Sequence, residues 1–345
     1  METGLEFFEI EAVLEKIMGH RVGFETMVSE FVERGEILSP GKWMEILGKT
    51  LTEQLRGHSQ TIGYLFLLII SAAILSTIAK AFRNRQISDM GFYMIYLLVF
   101  LIIMRSFGTC YALTEKVLGD LIDFMKVLMP AYLMAAAVSA YRTSATLYYE
   151  GFLLLVYYLQ KIVAVILLPA IRCYVLLAMM GHLGREELFG KGREGLKKLI
   201  LFSLKTMTGL AAGLQMIQGM ISPAIDEFKH TAISKGISSF GSLGSAMGNV
   251  TDVMLGSGVL LKNGIGAAGA VLIIGICIVP VMQIGCYGLF YQILAAVSEP
   301  ISDQRLTNAI GQMGDGIGLL VRLLFSVCAM FLLTIAIVCV TTRGI

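Results

Sequence analysis

Gly264-Ile-Gly-Ala-Ala-Gly-Ala-Val-Leu-Ile-Ile-Gly-Ile-Cys-Ile-Val-Pro280-Val-Met-Gln-Ile-Gly-Cys-Tyr-Gly-Leu-Phe-Tyr-Gln-Ile-Leu-Ala-Ala-Val297 decides how the rest of the chain is read. An apolar run of this length exceeds the ~20 residues that cross a bilayer once, and an ordinary soluble domain cannot hide it. Hydrocarbon is the solvent it requires on at least one side.

The whole chain points the same way. Of its 345 residues 56% are hydrophobic and only 15% charged, whereas soluble domains carry about 25% charged residues. The class expected is an all-α, polytopic helical membrane protein. A formal charge of +2, with no basic block interleaved with aromatics, gives no reason to expect a nucleic-acid partner. The six cysteines, at 110, 173, 277, 286, 328 and 339, lie in or beside apolar runs without a C-x-x-C pair. They read as packing residues rather than a disulfide or metal framework, and no metal site is expected.

Outward from the long run, two domains are expected: an acidic helical segment over 1–60 and a membrane domain over 61–345. The first holds eleven glutamates against six Lys/Arg. Phe7, Ile10, Leu14 and Ile17, then Phe24, Met27, Val28 and Phe31, recur at helical spacing, which predicts small amphipathic helices. No charged leader with an apolar core precedes them, so no signal peptide is expected. Spans are predicted over 62–79, 91–113, 121–140, 199–221 and 316–341. A short loop with Glu115, Lys116 and Asp120 joins the second to the third. Lys80, Arg83 and Arg85 place their loop in the cytoplasm by the positive-inside rule, and the acidic segment outside.

Two stretches, 147–182 and 264–297, are too long for a single crossing and are interrupted by Pro169 and Pro280. Each is either one long kinked helix or a proline-broken, re-entrant pair, so the expected total is 7 to 9 membrane helices. Similar placing of the two prolines suggests an internal duplication, a known pointer to a translocation site. Between them, 222–263 is too polar to span and too apolar for a free linker. It reads as an interfacial, Gly/Ser-rich junction, best fitted by one interfacial helix or a pair of them.

Chemistry is sparse. Gly190-Lys-Gly-Arg-Glu-Gly-Leu-Lys lacks the lysine of a phosphate loop, because Leu196 stands in its place, and the four histidines are scattered. No catalytic residue and no cofactor is expected. Gly264-Ile-Gly-Ala-Ala-Gly269 fits G-x-G-x-x-G but leads into an apolar span. Gly264, Gly266 and Gly269, like Gly209 and Gly213, read as helix-packing positions. The intramembrane charges Arg105, Lys161, Arg172, Lys205 and Arg322 are all cations, and snorkelling accounts for those near span ends. Lys161 and Arg172, eleven residues apart, would share a face of a continuous helix. With Pro169 and Pro280 they are the candidate pathway core.

Several rare strings then occur in one order: Gln218-Gly-Met-Ile-Ser-Pro-Ala-Ile-Asp226, Thr231-Ala-Ile-Ser-Lys235, Val250-Thr-Asp-Val-Met-Leu-Gly-Ser257, Leu261-Lys-Asn-Gly-Ile-Gly266, Pro300-Ile-Ser-Asp-Gln-Arg305 and Met313-Gly-Asp-Gly316. Together they resemble the stage III sporulation protein AE family of endospore-forming Firmicutes. The resemblance implies a non-enzymatic, permease-like, multi-pass subunit of the channel or secretion-like assembly in the mother-cell membrane around the forespore. Its implied partners are membrane lipid, the other stage III A proteins including an ATPase subunit, and a forespore membrane protein. Ser222, Pro223, Asp226, Pro300, Asp303, Arg305 and Asp315, which sit in these strings, are candidate loop or docking residues. The alternative is a self-sufficient transporter or channel for a small anion or metabolite.

Overall fold

The structure is a computed structural model. It describes residues 8–18, 23–34, 85–139, 156–181, 189–237, 242–300 and 303–340, with Gly48, Gly63, Leu67, Ile70, Ser71 and Ile74 as isolated positions. Among the described residues all regular structure is helical. In chain order the helices are α1 (Phe8–Met18), α2 (Phe24–Arg34), α3 (Arg85–Ser139), α4 (Val156–Gly181), α5 (Gly190–Ile237), α6 (Ser242–Ser298) and α7 (Gln304–Val340). Four stretches are long and apolar enough to cross a membrane: Met90–Leu128, Val156–Gly181, Asn263–Ser298 and Gln304–Ala336. Most of the expected span 62–79, and the part of 1–60 outside α1 and α2, lie outside the described residues.

Helix α7 is the axis, in contact with α3, α4, α5 and α6. Its buried face, which includes Ile310, Met313, Ile317, Leu320, Leu324, Val327 and Phe331, repeats every three or four residues, the spacing that keeps one helical stripe inward. Pairings give the directions. Cβ positions of Gly288 and Gly269 meet Ile317 and Ile335, so α6 runs antiparallel to α7. The Tyr96 hydroxyl donates to the Met179 carbonyl near the start of α3 and the end of α4. Arg193 with Gln312 and Lys197 with Asp315 set α5 parallel to α7. From α3 to α7 the helices alternate in direction, and α1 and α2 pack against α3 and α6 through Ile10, Leu14, Phe24 and Val28.

The expected loop between 113 and 121 does not exist: α3 is one helix of 55 residues. Glu115, Lys116 and Asp123 lie exposed while Val117, Leu118, Leu121, Phe124, Met125 and Leu128 continue the buried stripe. Thr114 returns its hydroxyl to the Cys110 carbonyl at 2.8 Å, and Lys126 pairs with Asp123 at 2.9 Å. The charges therefore decorate one face of an amphipathic stretch rather than end a span. The 39 residues of Met90–Leu128 extend over roughly 58 Å, about twice a hydrocarbon core.

Neither proline breaks its helix, so the re-entrant pairs are ruled out at both places. Pro280 lies inside α6, which continues from Ser242 to Ser298. With little water to take up freed carbonyls, a bent helix that keeps its other hydrogen bonds costs less than a turn. Pro169 is accommodated differently. Val163–Leu167 form a π turn in which the Leu168 N–H donates to the Val163 carbonyl instead of that of Ala164. The proline ring would collide with the carbonyl four residues back, and the wider turn relieves that collision. The two proline helices thus differ in form.

The inserted residue turns 156–162 by roughly the 100° that one residue occupies in an α-helix. Lys161 and Arg172 consequently diverge by about a quarter turn instead of sharing a face. Gln160 is turned inward and buried. Pro169→Ala, which restores the N–H, is expected to close the π turn and rotate this end back. Cysteine scanning over 156–162 reads it: the inaccessible positions should move off 160, and an unchanged pattern would show that the π turn does not depend on the proline.

The 222–263 junction is helical on both sides. The described backbone runs as helix to Ile237 and again from Ser242, so its two sides are extensions of α5 and α6. Ser222, Pro223 and Asp226 are on the α5 extension, and their side chains lie outside the described residues.

Candidate functional site within the bundle

The α6–α7 hairpin is built first by its turn. Ser298 donates to the Ala295 carbonyl at 2.9 Å, and the Leu306 and Thr307 N–H groups donate to the Asp303 carbonyl at 3.0 and 3.1 Å. The Asp303 carboxylate accepts the Arg305 N–H at 3.0 Å, covering one of the open donors of the first turn of α7. The Arg305 guanidinium lies 4.7 Å above the Phe92 ring, a cation–π contact tying this end to α3. Asp303 and Arg305, expected as docking residues, therefore start a helix and fix it to its neighbour. Pro300 is exposed in the turn.

Beyond the turn, glycines set how closely the helices approach. A Cβ on Gly314 would lie 3.3 Å from the Gly288 carbonyl oxygen and 2.9 Å from Cγ of Gln292, so here α6 and α7 meet nearly backbone to backbone. On Gly264 it would meet Val28 and Val32 of α2 at 3.1 and 3.2 Å, and on Gly269 it would meet Leu128 of α3 at 2.9 Å. Gly266 is buried between them. The G-x-G-x-x-G string is thus a packing surface. Gly209 and Gly213 are different: a Cβ on either meets nothing within 4 Å, so this G-x-x-x-G makes no close helix contact in the chain.

The close approach around Gly314 and Gly316 brings a polar cluster together from three helices. A Cβ on Gly316 would strike Val175 of α4, and without one Tyr174 reaches the same level. There Lys197 of α5 donates to the Asp315 carboxylate at 2.5 Å and Arg193 donates to the Gln312 amide oxygen at 2.9 Å. The Tyr174 phenol lies close to the charges of Lys197, Asp315 and Arg193. The Lys197 and Asp315 side chains are 33% and 43% exposed, partly withdrawn from solvent. Charged groups inside a membrane-type bundle are costly unless paired, and this pairing joins α5 to the axis helix.

Of the expected pathway residues, Lys161, Pro169 and Arg172 are exposed and Pro280 is half-buried. They do not converge. Arg172 rests 5.5 Å from the centre of the Tyr111 ring of α3. Asp315 is the one candidate drawn into the polar cluster. Its partners Tyr174, Arg193, Lys197 and Gln312 had not been singled out. The legible signal was the matched spacing of Arg193 with Lys197 and of Gln312 with Asp315, each one helical turn apart. Gln160 was likewise overlooked, and its amide has no hydrogen-bond partner among the described residues. No group of three or more His, Cys, Asp or Glu that could hold a metal occurs among the described residues.

Long apolar helices, alternating in direction and joined by small-residue contacts and one paired polar cluster, define a helical membrane protein. The stage III sporulation protein AE family model matches residues 22–342, and the chain belongs to that family. It is similar to the stage III sporulation protein AE of Bacillus subtilis (strain 168), with 21% identity over 311 residues, 90% of this chain and 78% of that one. No solved structure matches it.

Proposed function

We propose that this chain is a non-enzymatic, permease-like subunit of the stage III A channel or secretion-like assembly, embedded as a multi-pass protein in the mother-cell membrane around the forespore. Its partners in this reading are the other stage III A proteins, an ATPase subunit among them, and a forespore membrane protein. Family membership supplies the sporulation context. The observation that carries the permease-like part is the charged cluster Arg193–Lys197–Gln312–Asp315, held between apolar helices where a purely structural bundle would place hydrocarbon. The arrangement of the helices supports one orientation. The described starts of α3 and α5, at Arg85 and Gly190, lie at the same end of the bundle, and the cations Arg85 and Lys191 in the sequence there fit the positive-inside assignment of that end to the cytoplasm.

Deleting the gene in its host, then restoring it with or without an affinity tag, tests this reading. Heat-resistant spores should be lost on deletion and regained on restoration, and the tagged chain should crosslink to other stage III A proteins during engulfment. Normal spore counts without the gene would overturn it. The second reading, a self-sufficient anion transporter, is favoured by the exposed Arg105, Lys161, Arg172, Lys205 and Arg322. Purified chain that moves an inorganic anion across liposomes without partners would establish it instead.

A further inference from the structure

Arg322 occupies a position that a single chain in lipid does not explain. It sits near the middle of Gln304–Ala336, about 12 Å from the nearer edge of a ~30 Å hydrocarbon core centred on that span. That is too deep for its guanidinium to snorkel to the headgroups. The side chain is exposed, on the outer stripe of α7 beside Phe325, which is 69% exposed. Among the described residues it makes no ion pair. A lone cation in hydrocarbon is so unfavourable that this stripe must face protein or water.

The membrane-type spans hold few acids that could answer it. Asp315 is taken by Lys197 and Asp123 by Lys126, while Asp120 is half-buried. Glu115 on α3 remains, exposed and without an ion pair among the described residues. Its depth fits. Phe92 lies level with Arg305, and Leu128 and Ile335 both adjoin Gly269. This register places Glu115 within about one helical turn of the depth of Arg322. Within one chain the two are exposed on α3 and α7 and form no ion pair. Between two chains the match survives, because copies in one membrane share orientation and depth. Arg172, the other cation on this face, is held over the Tyr111 ring, and Lys116 points about 100° away around α3.

We infer that a second copy of this chain covers the α7 stripe, its Glu115 pairing with Arg322. Such an interface joins two different patches, α7 of one copy and α3 of the next, so repetition makes a ring when the rotation closes. The inference rests on the membrane-embedded, permease-like reading above and adds the partner of its outer face.

The test uses full-length chain carrying two different tags, co-expressed in its host and extracted with surrounding lipid into polymer-bounded particles. Capture of one tag by the other should fall roughly a hundredfold in Arg322→Glu or Glu115→Arg, the scale for removing one member of a desolvated charge pair. It should return when both changes are made in every copy. In a cysteine-free background, Arg322→Cys with Glu115→Cys should crosslink copy to copy, whereas Val165→Cys with Glu115→Cys should not. Arg322→Lys, which keeps the charge, checks insertion and folding. Undiminished capture in the single charge reversals, monomers in the lipid particles, or crosslinks only to a different membrane protein would each overturn the inference. Monomers with normal spore formation would sink the second copy alone; intact oligomers with no role in sporulation would sink the functional reading alone.

Discussion

Gly314→Leu is expected to push α7 away from α6 and cost the bundle a substantial part of its stability margin. The atoms a side chain would meet there belong largely to the facing backbone: the Gly288 carbonyl oxygen at 3.3 Å and the Gln292 nitrogen at 3.4 Å from a Cβ. A flexible side chain can swing aside, but helix backbone cannot move without moving the helix. Overpacking of well-filled contacts costs about 1–3 kcal/mol and occasionally more. In a membrane the loss is sharper, because close backbone approach is itself a main source of helix association there. A destabilisation of about 3 kcal/mol corresponds to a fall in thermal midpoint of roughly 4 °C for a chain of this length. Thermal unfolding of the purified chain in a mild detergent measures it. Gly209→Leu and Gly213→Leu are the comparison, since open space surrounds both. They should shift the midpoint by no more than about 1 °C. Equal losses at all three positions would show that the α6–α7 contact is no tighter than an ordinary lipid-facing surface.

The second large effect is expected at Asp315. Asp315→Ala leaves the Lys197 ammonium beside apolar helices without its counter-charge, and the hydrogen bond at 2.5 Å is lost. For a fully buried pair such a change costs about 3–5 kcal/mol, and for an exposed pair well under 1. Exposure of 33% and 43% puts this pair between those limits, on the order of 1–3 kcal/mol. Lys197→Ala should cost less, because the Asp315 carboxylate, the more exposed of the two groups, is more easily met by water or by Arg193. The informative variant replaces both partners with leucine. Apolar replacement of a whole ion pair is often neutral or stabilising. The double leucine variant should therefore accumulate and unfold like the native chain. If the cluster serves transport or gating, that same well-folded variant should still fail to support heat-resistant spores. Normal spore counts from it would reduce the cluster to a structural clamp.

These two effects lie on one stretch, Met313-Gly-Asp-Gly316, and their nearness has a physical cause. Gly314 lets α6 come close on one side of α7. Gly316 lets α4 come close on another, with Val175 in the space a side chain would occupy. Asp315 between them can then be reached by groups from α4 and α5 at one level. A larger residue at either glycine would push its neighbour outward and lengthen the polar contacts, so packing and charge pairing depend on each other here.

Much of this was legible from residues alone. The apolar runs required helices in lipid, because no other regular structure satisfies its backbone there without closing into a barrel. The stripes of Ile10 with Leu14 and of Phe24 with Val28 marked helix faces that the structure buries. Gly264 and Gly269 were readable as packing positions because a glycine-rich string entering an apolar span has little other use. The rare strings from Gln218 to Gly316 were sufficient to identify the family. All of these are local properties, set by composition, by period along one helix, or by short ordered words.

Tertiary structure decided the remainder. The charges from Glu115 to Lys126 look like a loop until the buried stripe beneath them is seen to continue. Pro169 and Pro280 look alike in sequence, yet one follows a π turn and the other is carried within regular helix. Lys197 and Asp315 are 118 residues apart, and no period along the chain relates them. They meet because close-packed helices have one register in which their surfaces fit, and that register is a property of two surfaces at once. A single strand of sequence carries each surface separately; only their contact selects which cation finds which carboxylate.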